Sequence, residues 1–349
     1  MKKRVALKDV ANRVGVSTTL VSYVLNNRMG NRINPETAEK IRRAAEEMNY
    51  RPNQIAKSLK SNKTQTIGLI VADIANPFSS SIARVIEDEA KKNHFTVIFG
   101  SADENCSKAE GLVNVLLSRQ VDGFIIAPPE GFEKQLLSLR EEDVPFVLID
   151  RYFKDMEVNS VTVDNFTTSF NAVKHLTDNG FRRIGFINYK TRLIHLNERT
   201  RGYHEALRAA GLPQQRGDLR LIEETRLETE IQGAMDALLD PRAPVDAIFF
   251  SSSNVAIEGL SYLRKKKIAI PDELGVVCFD ETKAYDLFPC PITYIRQPLA
   301  GIGQTAVKML LRDIGRRQPA TRVVLETEMI VKESSYPNHL RRAGTKKKN

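Results

Sequence analysis

The sequence predicts two architectures in one chain: an N-terminal all-α helix-turn-helix domain, followed by an α/β core of two doubly wound parallel-sheet lobes. Three observations predict it. Between Leu7 and Met48, apolar residues recur at helical spacing in three short runs, separated by Gly15 and by Asn34-Pro35. From Ile67 onward, short apolar β-rich runs alternate with longer helical ones, which is the pattern of βαβ units. The charge is also segregated. The first sixty residues carry thirteen Lys and Arg against five Asp and Glu, and the tail after Leu340 adds five more bases. Residues 61–340 hold about 34 basic against 38 acidic groups, in a chain of 349 residues with net charge +9.

Leu7 to Asn26 is the most informative stretch of the N-terminal part. Val10, Ala11 and Val14 give a first helix its apolar face, and Gly15 supplies the positive φ of a tight turn. Ser17 is a suitable N-cap, so a second helix is expected from Thr18. Leu20, Val21, Val24 and Leu25 make one face of it, while Thr18, Thr19, Ser22, Tyr23 and Asn26 make a face on which every side chain can hydrogen-bond. Two short helices joined by a glycine turn place the second helix in the DNA major groove. A small hairpin packed into a larger core is the plainer alternative. Asn34-Pro35-Glu36 weighs against that alternative, being an N-cap, an N1 proline and an acidic first turn. Ala38, Ile41, Ala45 and Met48 then stripe a third helix that closes a domain. The local cationic charge suits phosphate neutralisation, and no amphipathic basic helix suggests a membrane surface.

Pro52 to Leu59 starts well for a helix but is too short to be stable alone. After the polar SNKTQT linker, strands are expected at Ile67–Val71, Phe95–Phe99, Gly123–Ala127, Phe146–Ile149, Ile184–Ile187, Ala247–Phe250 and Gly275–Phe279. Their continuous apolarity suggests burial on both faces. Helical runs at Ser79–Asn93, Phe166–Asn179 and Asn197–Ala210 lie between them. One half runs from Thr66 to Val161 and the other from Val163 to Pro291, with Thr293 to Lys332 crossing back to complete both.

In such sheets ligands sit beyond the carboxyl ends of the strands. The loops there are polar: Asp73, Asn76 and Phe78; Ser101 and Asp103; Asp150 and Arg151; Asn188; Ser251 to Asn254; and Asp280. This mixture suits a hydroxyl-rich small molecule held between two lobes. The competing explanation is helix capping, since Asn76, Ser252 and Ser253 each precede a helical pattern.

Several motifs occur together in order: LKDVANRVGVS, VSYVLN, NPETAEKIRRAAEEMNYRPNQIAKSLKS, TIGLIVADIANPF, RTRGYHEAL and the aspartate of VVCFDE. With these motifs the chain resembles the lactose-repressor (LacI/GalR) family of bacterial transcription regulators over nearly its whole length. The resemblance implies a periplasmic-binding-protein-like core and a homodimer on near-palindromic operator DNA. It implies DNA contacts from Ser17, Thr18, Thr19, Ser22, Tyr23 and Asn26. A hinge helix would add Asn53, Ala56, Leu59 and Lys60, with Leu59 as a minor-groove wedge. Effector contacts are implied at Asn76, Phe78, Ser79, Asp150, Arg199, Ser253, Asn254 and Asp280. An arginine fork and a carboxylate together grip vicinal hydroxyls, which favours a sugar or sugar phosphate as effector. The expected domains are residues 1–51 for DNA binding, 52–65 for hinge and linker, 66–332 for effector binding and dimerisation, and 333–349 as a basic tail.

The chain departs from the family in three places. Ala6 stands where a threonine cap is usual, leaving the first helix to Asp9 and the helix dipole, at a loss of up to roughly 1 kcal/mol. Tyr23 replaces a common arginine and cannot form the two-bond fork to guanine. Asn49 replaces a glycine, which its tolerance of a left-handed cap permits.

Enzymatic readings find little support. Gly301 to Ala306 matches GxGxxA, and Glu326 lies twenty residues beyond, but too little chain follows for a dinucleotide-binding unit. GxxxxGK[ST], GxSxG and HExxH do not occur, and the five histidines are scattered. Cys106, Cys278 and Cys290 have no metal or disulfide spacing. No cofactor or metal is expected. Met1-Lys2-Lys3-Arg4 is not followed by a signal-length apolar run, and eighteen apolar residues never occur in succession. The expectation is a soluble, cytoplasmic protein with no membrane partner. The alternative reading is a sugar-binding receptor whose basic N-domain docks a partner other than DNA.

Overall fold

Without a hydroxyl at Ala6, the first helix α1 (Leu7–Val14) is begun from inside: the Ala6 N–H donates to Asp9 Oδ2 at 2.8 Å. Gly15 ends it at φ 76°, with its own N–H and that of Val16 both reaching the Ala11 carbonyl. Ser17 Oγ then accepts from Leu20 N at 3.2 Å and starts α2 (Thr18–Leu25). Asn34 Oδ1 accepts from Glu36 N and Thr37 N to start α3 (Pro35–Glu47), and Asn49 closes it at φ 50°. Val10, Ala11, Val21, Val24, Ile41, Ala44 and Ala45 are buried together between the three helices. The computed structural model describes residues 5–26, 33–50, 63–316 and 318–337. The expected hinge helix with Asn53, Ala56, Leu59 and Lys60, and most of the basic tail, lie outside the described residues.

The chain divides into two compact units, Met1–Thr64 and Gln65–Asn349. The second contains two six-stranded sheets. The first lobe begins with β1 (Thr66–Val71), α4 (Pro77–Lys92), β2 (Thr96–Ser101), α5 (Cys106–Ser118) and β3 (Gly123–Ile126). It continues through α6 (Glu133–Glu141), β4 (Phe146–Ile149) and β5 (Ser160–Val163). The chain then crosses to the second lobe, built from α7 (Asn165–Asp178), β6 (Ile184–Tyr189), α8 (Ile194–Ala209), β7 (Leu219–Ile222) and α9 (Leu227–Leu238). β8 (Ala247–Phe250), α10 (Ser253–Lys266), β9 (Gly275–Phe279) and β10 (Thr293–Arg296) follow in that lobe. α11 (Leu299–Gly315) and β11 (Arg322–Leu325) return to the first lobe, and β12 (Glu328–Ile330) ends in the second.

The strand orders are β11-β5-β4-β3-β1-β2 and β12-β10-β9-β8-β6-β7. Each sheet carries an apolar layer on both faces. This is the expected pair of doubly wound lobes, with two differences. β12 runs antiparallel to β10, because a chain that has just left β11 enters the second sheet from the opposite end. β2 is an edge strand rather than one buried on both faces, and leaves Ile98 41% and Phe99 59% exposed.

Two glycines show how tightly the helices pack. Gly303, in the GxGxxA stretch, lies in the second turn of α11 where a Cβ would stand 2.5 Å from the Val85 side chain on α4. The motif therefore serves helix packing. On α8, a Cβ at Gly202 would lie 2.3 Å from the Phe166 carbonyl oxygen and 2.9 Å from the Phe170 nitrogen of α7. Gly111 on α5 has nothing near. Gly202→Ala is therefore expected to destabilise the α/β unit by about 1–3 kcal/mol, because backbone cannot yield as a side-chain tip can. Gly111→Ala should be neutral or stabilising by up to about 1 kcal/mol. Urea unfolding of the two variants checks the contrast.

Candidate functional site

In the helical unit, α2 carries a face of uncharged hydrogen-bonding side chains. With Val21 and Val24 buried, α2 turns Thr18 and Thr19 fully outward and leaves Ser22 and Tyr23 half-exposed. Asn26, the helix's last cap, bends back so that its Nδ2 donates to the Ser22 carbonyl at 2.8 Å. Ser17 is engaged as the N-cap. The surface holds hydroxyls and a phenol and no guanidinium, so it suits thymine methyls, phosphates and single hydrogen bonds.

A second constellation forms between the two lobes. A cavity of about 40 Å³ is lined by Asn76, Phe78, Ser79 and Asp150 of the first lobe and by Arg199 and Asp280 of the second. Six of the eight sequence-predicted effector residues thus meet in one place. Ser253 and Asn254 do not line it. Ser253 is buried at the start of α10, where its backbone N–H bonds the Asp280 carboxylate, and Ser252 faces the cavity instead. Asn76 also caps α4, its Oδ1 accepting from Phe78 N at 2.9 Å. Asn188, Ser101 and Asp103 brace loops: Asn188 Nδ2 donates to the Leu196 carbonyl and to Thr200 Oγ1, and Ser101 Oγ donates to Asp103 Oδ1.

Glu104, Tyr189, His195, Glu224 and Gln297 also line the cavity, and sequence reasoning passed over them. Glu224 and Gln297 follow β7 and β10, two strands whose polar content hid them. His195 lies four residues before Arg199, one helical turn along the same face of α8, and that spacing was the available signal.

The site is dense with charge and deeply buried. Arg151 Nη1 donates to Glu104 Oε2 at 2.6 Å and to the Pro128 carbonyl at 3.2 Å. Arg199 Nε donates to Asn165 Oδ1 at 2.8 Å and Nη1 to the Ser251 carbonyl at 2.6 Å, while its guanidinium lies 3.4 Å over the Phe279 ring. Asp280 Oδ1 accepts from Gln297 Nε2 at 2.7 Å. Burial raises the carboxyl of Asp280, with Arg199 opposing the shift. Burial drives Asp150 up to about 6 despite Arg151 and Arg199. Glu224 is pushed to about 7 by burial and then by the charge of Glu104. Burial, with both arginines nearby, holds the His195 imidazole well below its usual range, so it is neutral. Glu104, Asp150 and Asp280 all adopt positive φ (52°, 64° and 71°), a conformation retained where the surroundings over-determine it. At the cleft mouth Glu130 of the first lobe accepts from Thr191 Oγ1 at 2.8 Å and from Arg192 N at 2.9 Å in the second. The lobes are closed on each other, since 40 Å³ is far below the roughly 300–1,000 Å³ of small-molecule pockets.

Residues 6–53 match the family of bacterial regulatory proteins of lacI type, and residues 173–335 match a periplasmic binding protein-like domain. Across 315 residues the chain is 30% identical to a probable HTH-type transcriptional regulator, EndR, of Paenibacillus polymyxa, covering 89% of this chain and 91% of that protein. It belongs to the LacI family. The family is one of transcription regulators, so the chain is a DNA-binding regulator and not an enzyme. The lac repressor dimer bound to operator and the anti-inducer ONPF shares the fold with a TM-score of 0.84, at 22% identity, over 96% of this chain and all of that one. A transcriptional regulator CelR–cellobiose complex is 28% identical, with a TM-score of 0.69 over 95% of this chain and 100% of that one. Among the described residues no helix is long and apolar enough to cross a membrane.

The raised carboxyls have a pH consequence. Burial raises the Asp150 carboxyl from its ordinary 3.8 to about 6, so its contribution is present below pH about 4 and is lost as pH rises through 6, at roughly 3 kcal/mol. Glu224 extends the loss toward pH 7. Unfolding free energies at pH 5 and pH 8 should therefore differ less for Asp150→Asn than for the unaltered protein, asparagine being tolerant of this φ. An unchanged difference in the variant would refute the assignment.

Proposed function

We propose that this protein is a dimeric repressor which binds near-palindromic operator DNA and is controlled by a carbohydrate effector in the inter-lobe cleft. The observation that carries the proposal is the convergence of Asn76, Phe78, Ser79, Asp150, Arg199 and Asp280 on one closed cavity, in a chain that also carries an exposed hydrogen-bonding recognition helix. On this reading residues 1–51 bind DNA, 52–65 form hinge and linker, and 66–332 bind effector and dimerise; the expected basic tail of 333–349 begins later than its sequence suggested, because Glu333–Ser335 form a 3-10 turn on the second lobe with Ser334 and Ser335 buried, Ser334 Oγ donating to the Val276 carbonyl and accepting from Thr293 N. Thr18, Thr19, Ser22 and Tyr23 read the major groove, with Ser17 and Asn26 at the helix ends. Asn53, Ala56, Leu59 and Lys60 act in the minor groove. The cellobiose of the CelR complex supports a sugar-like ligand.

One helix-turn-helix reads only a half-site, so two copies are needed. An apolar margin supports the pairing: Ile98, Phe99 and Val115 are exposed along β2 and α5 of the first lobe, and Leu221 on β7, the topologically equivalent edge strand of the second. The effector then sets the angle between lobes, and so the spacing of the paired DNA-binding units.

Selection from a random duplex pool by the full-length protein at near-physiological salt is expected to enrich a palindrome with a flexible central step. Failure to enrich any sequence, with and without sugars, would refute the reading. Phe99→Glu should yield monomers by light scattering and weaken operator binding by at least about tenfold. Arg199→Ala is a poor probe, because it strands the Ser251 carbonyl and Asn165 at about 1–3 kcal/mol for each unsatisfied group. Asp280→Asn keeps shape and φ, and is expected to retain operator binding while losing the effector response.

A further inference from the structure

We infer that the ligand of this cleft carries a cationic amine among its hydroxyls, as an amino sugar does, and carries no phosphate. This rests on the reading of the cleft as the effector site, and narrows it. Four carboxyl groups face the cavity (Glu104, Asp150, Glu224 and Asp280) against two guanidiniums, and no lysine lines it. The imidazole of His195, which also lines the cavity, is uncharged.

Both guanidiniums are already committed. Arg151 holds Glu104 through both Nη atoms and also the Pro128 carbonyl, and its Nε, a buried donor without a hydrogen bond, lies 3.8 Å from Asp150 Oδ2. Arg199 is spent on Asn165, the Ser251 carbonyl and the face of Phe279. A phosphate entering here finds no uncommitted cation, and it brings close to two negative charges beside carboxylates. To bind, it must break one of these pairs and leave a buried carboxylate or carbonyl stranded.

The acids, by contrast, are not all answered. Glu104 has Arg151, and Asp280 has Gln297, the Ser253 amide and the field of Arg199. That leaves Glu224 from the second lobe, and Asp150 from the first, whose Oδ2 has a long 3.8 Å contact from Arg151 Nε. Asp150 is only 8% exposed, yet its Oδ1 has no hydrogen-bond partner. Gln297 Oε1, 6% exposed, is likewise unpartnered. Both are acceptors. An ammonium offers three donors, no acceptor and one positive charge, which is the complement of this set. Burial raises both Asp150 and Glu224, and Arg151 offsets the shift only in part. An amine placed between acids of opposite lobes also couples occupancy to closure, while Tyr189, Ser79 and Ser252 remain for hydroxyl groups.

The test uses full-length protein and matched hexoses built on glucose, galactose and mannose: the parent sugar, its 2-amino, its N-acetylamino and its 6-phosphate forms. Titration calorimetry and ligand-induced shifts of Tm at pH 7.5 read affinity. The expected result is that at least one amine binds about tenfold or more tighter than its N-acetyl and parent counterparts, roughly the worth of one charge-assisted contact. The matching 6-phosphate should bind more weakly than the parent. Asp150→Asn and Glu224→Gln should each erase the amine's advantage. Without any ligand, both variants should raise Tm at pH 8, since each removes a buried charge whose burial outweighs the pull of the nearby arginines. A 6-phosphate that outbinds its parent, an amine no better than its N-acetyl form, silence across the whole panel, or a fall in Tm for both variants at pH 8 would each overturn the inference. A parent sugar that binds while its amine gains nothing sinks this inference alone. Silence in the panel alongside an enriched operator also removes the carbohydrate reading but leaves the DNA-binding one standing.

Discussion

A parallel strand buried on both faces has no place for a polar side chain along its length, so polarity is forced past its carboxyl end. Everything the second unit does follows from that constraint. β1, β4, β8 and β9 are apolar or nearly so, and within a few residues of their ends the chain turns polar with Asn76, Asp150, Ser252 and Asp280, while Gln297 follows the more polar β10. Because the carboxyl ends of both sheets point at the same gap, these groups confront one another in a medium that solvates charge poorly. The perturbed acids, the neutral imidazole and the left-handed aspartates are consequences of that meeting.

How much of this was legible in the sequence depended on how far each element follows the buried-strand rule. Seven strands were readable because their residues are uniformly apolar. β7 carries Arg220 on an edge, β10 ends in Arg296, β11 is half-exposed and β12 is three residues long, so none shows the pattern. Missing β7 and β10 meant missing Glu224 and Gln297, which stand just after them. Asp150 and Asp280 were readable because β4 and β9 are plain. His195 was not, since a histidine on a helix says little until the partner one turn away is known to point into a cleft. The displacement of Ser253 and Asn254 from the cavity is a matter of one helical step: α10 begins at Ser253, and it is the capping residue before it that faces inward.

In the N-terminal unit, local rules sufficed. Asp9, Gly15, Ser17, Asn34 and Asn49 each perform the capping or turning role that their chemistry favours, and the three apolar stripes meet as their spacings require. The absence of an arginine at position 23 has a specific cost: the exposed face of α2 has little bidentate capacity. On the proposed reading of α2 as the helix that enters the groove, discrimination between operators falls more heavily on methyl contacts, on single hydrogen bonds and on the deformability of the DNA.

The route by which the chain passes between the lobes also bears on how the protein is made. The first lobe is interrupted after β5 and finished only by α11 and β11, whose Ile302, Ala306, Val307 and Leu310 cover one face of its sheet. As the ribosome delivers residues in order, some 130 of them, enough for nearly the whole second lobe, must emerge before that face is covered. During this interval the nascent first lobe presents a broad apolar surface, a natural client for chaperones and a point where slow translation or misassembly would first be felt.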